Sequence, residues 1–94
     1  MRTIFKYPIK IVDSQRLELP AGAEILKACL DPKGNPCIYA ELDTEIVSTS
    51  MWTIFVIGTG NPFPESSWKL EYISSFPMEA LPIMWHVYKT RGIA

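Results

Sequence analysis

Ser50-Met51-Trp52-Thr53-Ile54-Phe55-Val56-Ile57-Gly58-Thr59-Gly60-Asn61-Pro62-Phe63-Pro64 is the stretch that decides the fold. Its apolar part runs from Trp52 to Ile57 and is broken only by Thr53. Six such residues, β-branched or aromatic, suit a pleated surface and are far too few to span a bilayer as a helix. Successive side chains of a strand point to opposite faces, so this run is apolar on both. A strand of that kind is central in its sheet and covered on both sides. One cover is the core of the domain. The other needs a second layer or a second copy of the chain.

Working outward, proline sets the scale of every other element. Pro8, Pro20, Pro32, Pro36, Pro62, Pro64, Pro77 and Pro82 cut the chain into pieces too short for ordinary helices. Strands are expected at Thr3–Ile11, Gln15–Leu19, Glu24–Asp31, Cys37–Asp43, Ser50–Gly58, Trp68–Ser75 and Ile83–Lys89. Only Glu24–Leu30 has a rival reading as a short helix, and Lys33-Gly34-Asn35 after it favours a hairpin. Short connections carrying turn residues make the expected class all-β. It is a small antiparallel meander or sandwich of about seven strands, in one domain over residues 1–94.

Alternation assigns the faces. Ile38, Ala40 and Leu42 are expected inside with Tyr39 and Glu41 outside, and Leu26, Ala28 and Leu30 are expected to share one face. Two registers satisfy this. One sets Ala28 against Ala40 and Lys27 against Glu41. The other sets Ala28 against Ile38 and Cys29 against Cys37. The first is preferred, because the second brings Pro36, which has no N–H, into the ladder. Cys29 and Cys37 are then expected to be free thiols. In the last strand Ile83, Trp85 and Val87 form the inward face, and Met84, His86 and Tyr88 the other.

Composition narrows the function classes. The 94 residues are 48% apolar with a net charge of −1 and no basic stripe, which argues against nucleic-acid binding and against a polybasic membrane contact. Lys6 and Pro8 interrupt the apolar start that a signal peptide needs, so a soluble, cytoplasmic protein is expected. There is no Cys/His cluster at ligand spacing, and neither a metal nor another cofactor is expected.

Candidate sites are few. Gly58, Thr59, Gly60 and Asn61 could offer bare backbone N–H groups to an anion such as a nucleotide phosphate, and His86 is a further candidate ligand contact. The prolines that follow prevent a helix from opening there, and a plain tight turn with a positive-φ glycine explains the same residues. His86 is the only histidine, and no Gly-x-Ser-x-Gly elbow accompanies it. A half-buried strand residue is the simpler reading. The scattered carboxylates, Asp43, Glu45 and Glu65 among them, form no catalytic pair. Trp52, Ile54, Phe55, Phe63, Met84 and Tyr88 are the candidate contact residues for self-association or a partner.

Several segments carry a resemblance: Ile4-Phe5-Lys6-Tyr7-Pro8, Leu19-Pro20-Ala21-Gly22-Ala23-Glu24-Ile25-Leu26, Gly34-Asn35-Pro36-Cys37, Ile57-Gly58-Thr59-Gly60-Asn61-Pro62 and Trp85-His86-Val87-Tyr88. In that order they resemble a family of short, uncharacterised proteins of tailed bacteriophages and prophages. Ser75-Phe76-Pro77-Met78-Glu79-Ala80 is bulkier than the glycine-rich turn of similar chains, and Ile38-Tyr39 replaces a Leu-Trp pair. The resemblance implies a phage product acting in the host cytoplasm. Such products are often accessory factors that bind host machinery, including anti-phage defence systems. The leading expectation is therefore a non-enzymatic phage accessory protein, a homo-oligomer that binds and inhibits a host bacterial protein. The rivals are an oligomer sequestering a nucleotide or other small anionic ligand at the Gly58–Pro64 turn, a small hydrolase or transferase using His86, and a structural virion component.

Overall fold

The computed structural model describes residues 1–64 and 69–92. Glu65, and Trp68 at the expected start of the sixth strand, lie outside the described residues. The described residues form seven strands: β1 (Arg2–Pro8), β2 (Ser14–Pro20), β3 (Glu24–Leu30), β4 (Pro36–Asp43), β5 (Thr49–Gly58), β6 (Glu71–Pro77) and β7 (Met84–Arg91). Every pairing is antiparallel. Of the two expected arrangements the chain adopts the sandwich. A three-stranded sheet has the order β1-β4-β3, and a four-stranded sheet has the order β2-β5-β7-β6. Only β3–β4 and β6–β7 are sequential neighbours within a sheet: the chain crosses between layers after β1, β2 and β4, and β7 lies between β5 and β6.

The crossing after β1 shows how the backbone is satisfied away from a ladder. The Lys10 N–H donates to Gln15 Oε1 at 3.0 Å, and Gln15 Nε2 donates back to the Lys10 carbonyl at 2.7 Å. One side-chain amide thus stands in for a neighbouring strand, and β1 stops at Pro8 instead of running on to Ile11.

The core lies between the sheets. Ala28, Ile38, Ala40 and Leu42 come from one layer, and Leu19, Trp52, Ile54, Val56, Phe76 and Val87 from the other. As alternation requires, Ile38, Ala40 and Leu42 are buried while Tyr39 and Glu41 lie on the outer side. The face assigned to Leu26 is corrected. A bulge between Ile25 and Lys27 shifts the register, so Ile25 opposes Ala40 and packs on the core while Leu26 is exposed.

The preferred register is also corrected: Ala28 opposes Ile38, and Cys29 opposes Cys37. The Asp31 N–H donates to the Asn35 carbonyl at 2.8 Å, so that pair is hydrogen-bonded, and by alternation its neighbour Leu30–Pro36 is not. Pro36 therefore owes β3 no N–H, and the objection to this register disappears. The Asn35 N–H, which the hairpin turn would otherwise leave over, donates to Asp31 Oδ1 at 2.9 Å.

Asp31 holds this hairpin and is itself buried. Its Oδ1 accepts from the N–H groups of Lys33 and Asn35, and its Oδ2 accepts from Lys6 Nζ at 2.9 Å. The Asn35 N–H first, then Lys6, hold the carboxyl pKa below its ordinary 3.8. A lowered native pKa means that the unfolded chain binds the proton more readily. The stabilisation is then complete above pH about 3.8 and is lost as pH falls through the native value. Asp31→Asn keeps the turn acceptor and removes the charge. Its melting temperature should fall below wild type at neutral pH, and the gap should close as pH drops below about 3.8. A gap independent of pH would assign the effect to something other than the carboxylate.

The seam between the sheets is closed by one hydroxyl. A bulge between Tyr72 and Ser74 in β6 turns Ser74 to the side of Val87. There Ser74 Oγ accepts from the Ala28 N–H at 2.8 Å and donates to the Ala28 carbonyl. These are the groups that β3, as an edge strand, leaves unpaired. Ser74→Ala strands both in a part-buried place and should cost about 1–3 kcal/mol in denaturant unfolding. A loss of a few tenths would show that water takes over the role.

Candidate functional site

The outer face of the four-stranded sheet carries the candidate residues. Antiparallel partners share a side, so the pairs Tyr72–Tyr88, Ser75–His86 and Pro77–Met84 place six side chains on this face. Phe55 opposes Tyr88 and Ile57 opposes His86, so the second side of β5 lies here too. Phe55 is 3% exposed and Ile57 8%. The expected second cover is supplied by the same chain. The segment after β5 brings Phe63 edge-on to Tyr88, with ring centroids 5.3 Å apart, and Tyr88 meets Tyr72 at 5.4 Å.

His86 is held at both nitrogens. Nδ1 lies 2.7 Å from Ser75 Oγ, which lies 2.7 Å from the Tyr72 hydroxyl, and Nε2 lies 2.9 Å from Thr59 Oγ1. Thr59 Oγ1 also donates to the Met84 carbonyl at 3.2 Å. A carbonyl only accepts, and with a neutral imidazole this sets the direction of the chain. Thr59 gives its proton to Met84, accepts from Nε2–H, and leaves Nδ1 to accept from Ser75, which accepts from Tyr72. A serine hydroxyl donating to imidazole is half of a nucleophile–base arrangement. The opposite nitrogen, however, meets a threonine hydroxyl where acyl-transfer triads place a carboxylate, so the ring is oriented without a charge to stabilise its cation.

The glycine turn is largely self-satisfied. The Asn61 N–H donates to the Gly58 carbonyl at 3.0 Å and the Thr59 N–H to the Met84 carbonyl at 3.0 Å. Two of the donors an anion would use are thereby occupied. Gly60 has φ of 93°, the left-handed value a tight turn demands at that position. Gly58 serves differently: a Cβ there would lie 2.5 Å from Ile83 Cδ1 and 3.1 Å from Trp85 Cζ3. Its lack of a side chain lets the Trp85 indole pack directly against the strand.

Beside Phe63 a cleft of about 500 Å³ opens, lined by Ile11, Asp13, Phe55, Ile57, Asn61 and Trp85 with their neighbours. Among the described residues no group of three or more His, Cys, Asp or Glu side chains is placed to hold a metal ion, and no helix is long and apolar enough to cross a membrane.

The candidate contact residues divide. Trp52, Ile54 and Phe55 are buried within the chain and are not available as contacts. Trp52 instead stacks under Arg91, whose guanidinium carbon is 4.5 Å from the ring centroid, and Lys89. Phe63 (55% exposed) and Met84 (41%) are open to a partner, and Tyr88 is half-buried, with the Phe63 and Tyr72 rings against it. Tyr72, 56% exposed, and Ser75 belong to the same face, and sequence reasoning missed both. Their place follows from the β6–β7 register, and the bulge at Ile73 hides it from a count by twos.

A family described as "Domain of unknown function (DUF7352)" matches residues 1–93. No curated protein and no solved structure matches the chain.

Proposed function

The chain belongs to this family of unknown function, and from the site itself we propose that it is a non-enzymatic binding protein acting through the outer face of the four-stranded sheet. One observation carries the reading. Tyr72 and Met84 of the sheet and Phe63 of the segment after β5 stand exposed on one face, around a polar chain whose groups are already hydrogen-bonded to one another. Such a surface offers apolar anchors and leaves few polar groups to satisfy on binding. The cleft beside Phe63 can receive an anchor side chain from the partner. The resemblance to phage and prophage proteins makes that partner a host bacterial protein, an anti-phage defence component among the candidates, which binding would block in the cytoplasm.

Catalysis at His86 is the weaker reading because its second nitrogen has no carboxylate. Anion capture at the turn is weaker because Thr59 and Asn61 have spent their N–H groups. Self-association, proposed from the Trp52–Ile57 run, now rests on the same exposed ridge, since Phe55 and Ile57 are covered.

Affinity capture from bacterial lysate tests the reading by comparison. Phe63→Ser with Tyr72→Ser should lose the enriched host protein at least tenfold. Ile4→Ser, on the outer face of the other sheet, should retain it. Equal capture by all three would remove the face from the account.

A further inference from the structure

On the outer side of the three-stranded sheet, Cys29 of β3 and Cys37 of β4 face each other directly. Directly opposed residues of an antiparallel pair have Cα atoms about 5.5 Å apart when hydrogen-bonded, inside the Cα span of a disulfide, and closing the bond draws the two Cβ atoms about 1 Å closer together. Counting from the Asp31–Asn35 pair, Cys29–Cys37 is such a position. Both side chains project to the same side, and both thiols are free. Their environments differ. Cys37 is buried at 1% exposure, with Pro8 of β1 opposing it on its other flank, while Cys29 is partly open.

We propose that Cys29 and Cys37 form a cross-strand dithiol site whose substrates are low-molecular-weight disulfides of the glutathione class. Cys29, the sulfur that solvent reaches, attacks one sulfur of the small disulfide. A mixed disulfide forms, and the first small thiol leaves with a proton. Cys37 then attacks Cys29 Sγ, and the second small thiol leaves. One disulfide is reduced to two thiols, and two protein thiols are oxidised to one cross-strand bond. Burial pushes the Cys37 thiol pKa up and slows its attack on a disulfide from solution, whereas the mixed disulfide on Cys29 is held directly opposite it. The closed form ties edge strand β3 to β4 beside the hairpin that Asp31 holds. This site is on the opposite sheet from the binding face and stands independently of it.

The native protein is incubated with oxidised glutathione and followed by intact mass and thiol titration. Wild type should lose both thiols and two hydrogens, with no adduct remaining. Cys37→Ser should stop at one glutathione adduct on Cys29, and Cys29→Ser should react at least tenfold more slowly. Wild type that keeps a glutathione adduct, forms a disulfide between two chains, or retains both thiols overturns the proposal. A Cys29→Ser variant that reacts as fast as Cys37→Ser overturns the order of the steps.

Discussion

Phe55→Ala is expected to destabilise the protein by about 3–5 kcal/mol, as much as truncating a side chain between the sheets. Phe55 does not point into that core. It lies on the outer face of the four-stranded sheet, opposite Tyr88 of β7 and Ser14 of β2, and is nevertheless 3% exposed. The neighbouring Ile54, on the inner side, is 0% exposed and sets the comparison. Urea unfolding of Phe55→Ala and Ile54→Ala should give losses within about 1 kcal/mol of each other, since both leave cavities in packed surroundings. A total stability of about 5–15 kcal/mol makes either variant marginal. A loss below about 1 kcal/mol for Phe55→Ala, with Ile54→Ala several times worse, would show that the outer face is open and needs a second chain to cover it.

The second large effect separates two neighbours in sequence. Trp85→Ala should cost about 3–5 kcal/mol, and His86→Ala only about 1 kcal/mol. Trp85 is turned inward, opposing Gly58 across β5–β7 and Phe76 across β6–β7, and packs on the core. Its Nε1–H donates to the Leu81 carbonyl at 3.2 Å, so the indole also fixes the loop before β7. His86 is turned outward, and its loss leaves the hydroxyls of Thr59 and Ser75 near solvent, where water replaces the ring. Thermal or denaturant unfolding of the two variants side by side decides this. Equal losses would mean that the hydrogen-bonded chain from Tyr72 to Met84 holds the sheet together and is not a surface feature.

The central strand shows what could be read in advance. Trp52-Thr53-Ile54-Phe55-Val56-Ile57 announced a strand covered on both faces, because an unbroken apolar run puts apolar side chains on both sides of a strand, and that is a local property. The same reasoning placed Ile38, Ala40 and Leu42 inside and separated Trp85 from His86. It failed at the bulges. The extra residues at Leu26 and Ile73 break the count by twos, and no residue type marks them. The first error turned Leu26 inward, and the second concealed that Ser75 and Tyr72 stand next to His86. The Cys29–Cys37 register was missed for a different reason. Proline bars a strand only where its N–H would face the partner, and that depends on which pairs are hydrogen-bonded, a property set by the hairpin turn. Asp31 determines that turn through bonds to Lys33 and Asn35, which sequence spacing alone does not reveal. The cover over Phe55 and Ile57 was anticipated as a need. Its source lies within the same chain, where Tyr88 opposes Phe55 and His86 opposes Ile57, and that is a tertiary fact.

The claim that this chain works by binding through the Phe63–Tyr72–Met84 ridge is tested most directly by photo-cross-linking in living bacteria. A photoreactive phenylalanine analogue is placed in turn at Phe63, Tyr72 and, on the far sheet, Ile4. The account predicts one and the same discrete host-protein adduct from positions 63 and 72 and none from position 4. Adducts from position 4 alone, or none from any position while the protein is folded and abundant, would contradict it.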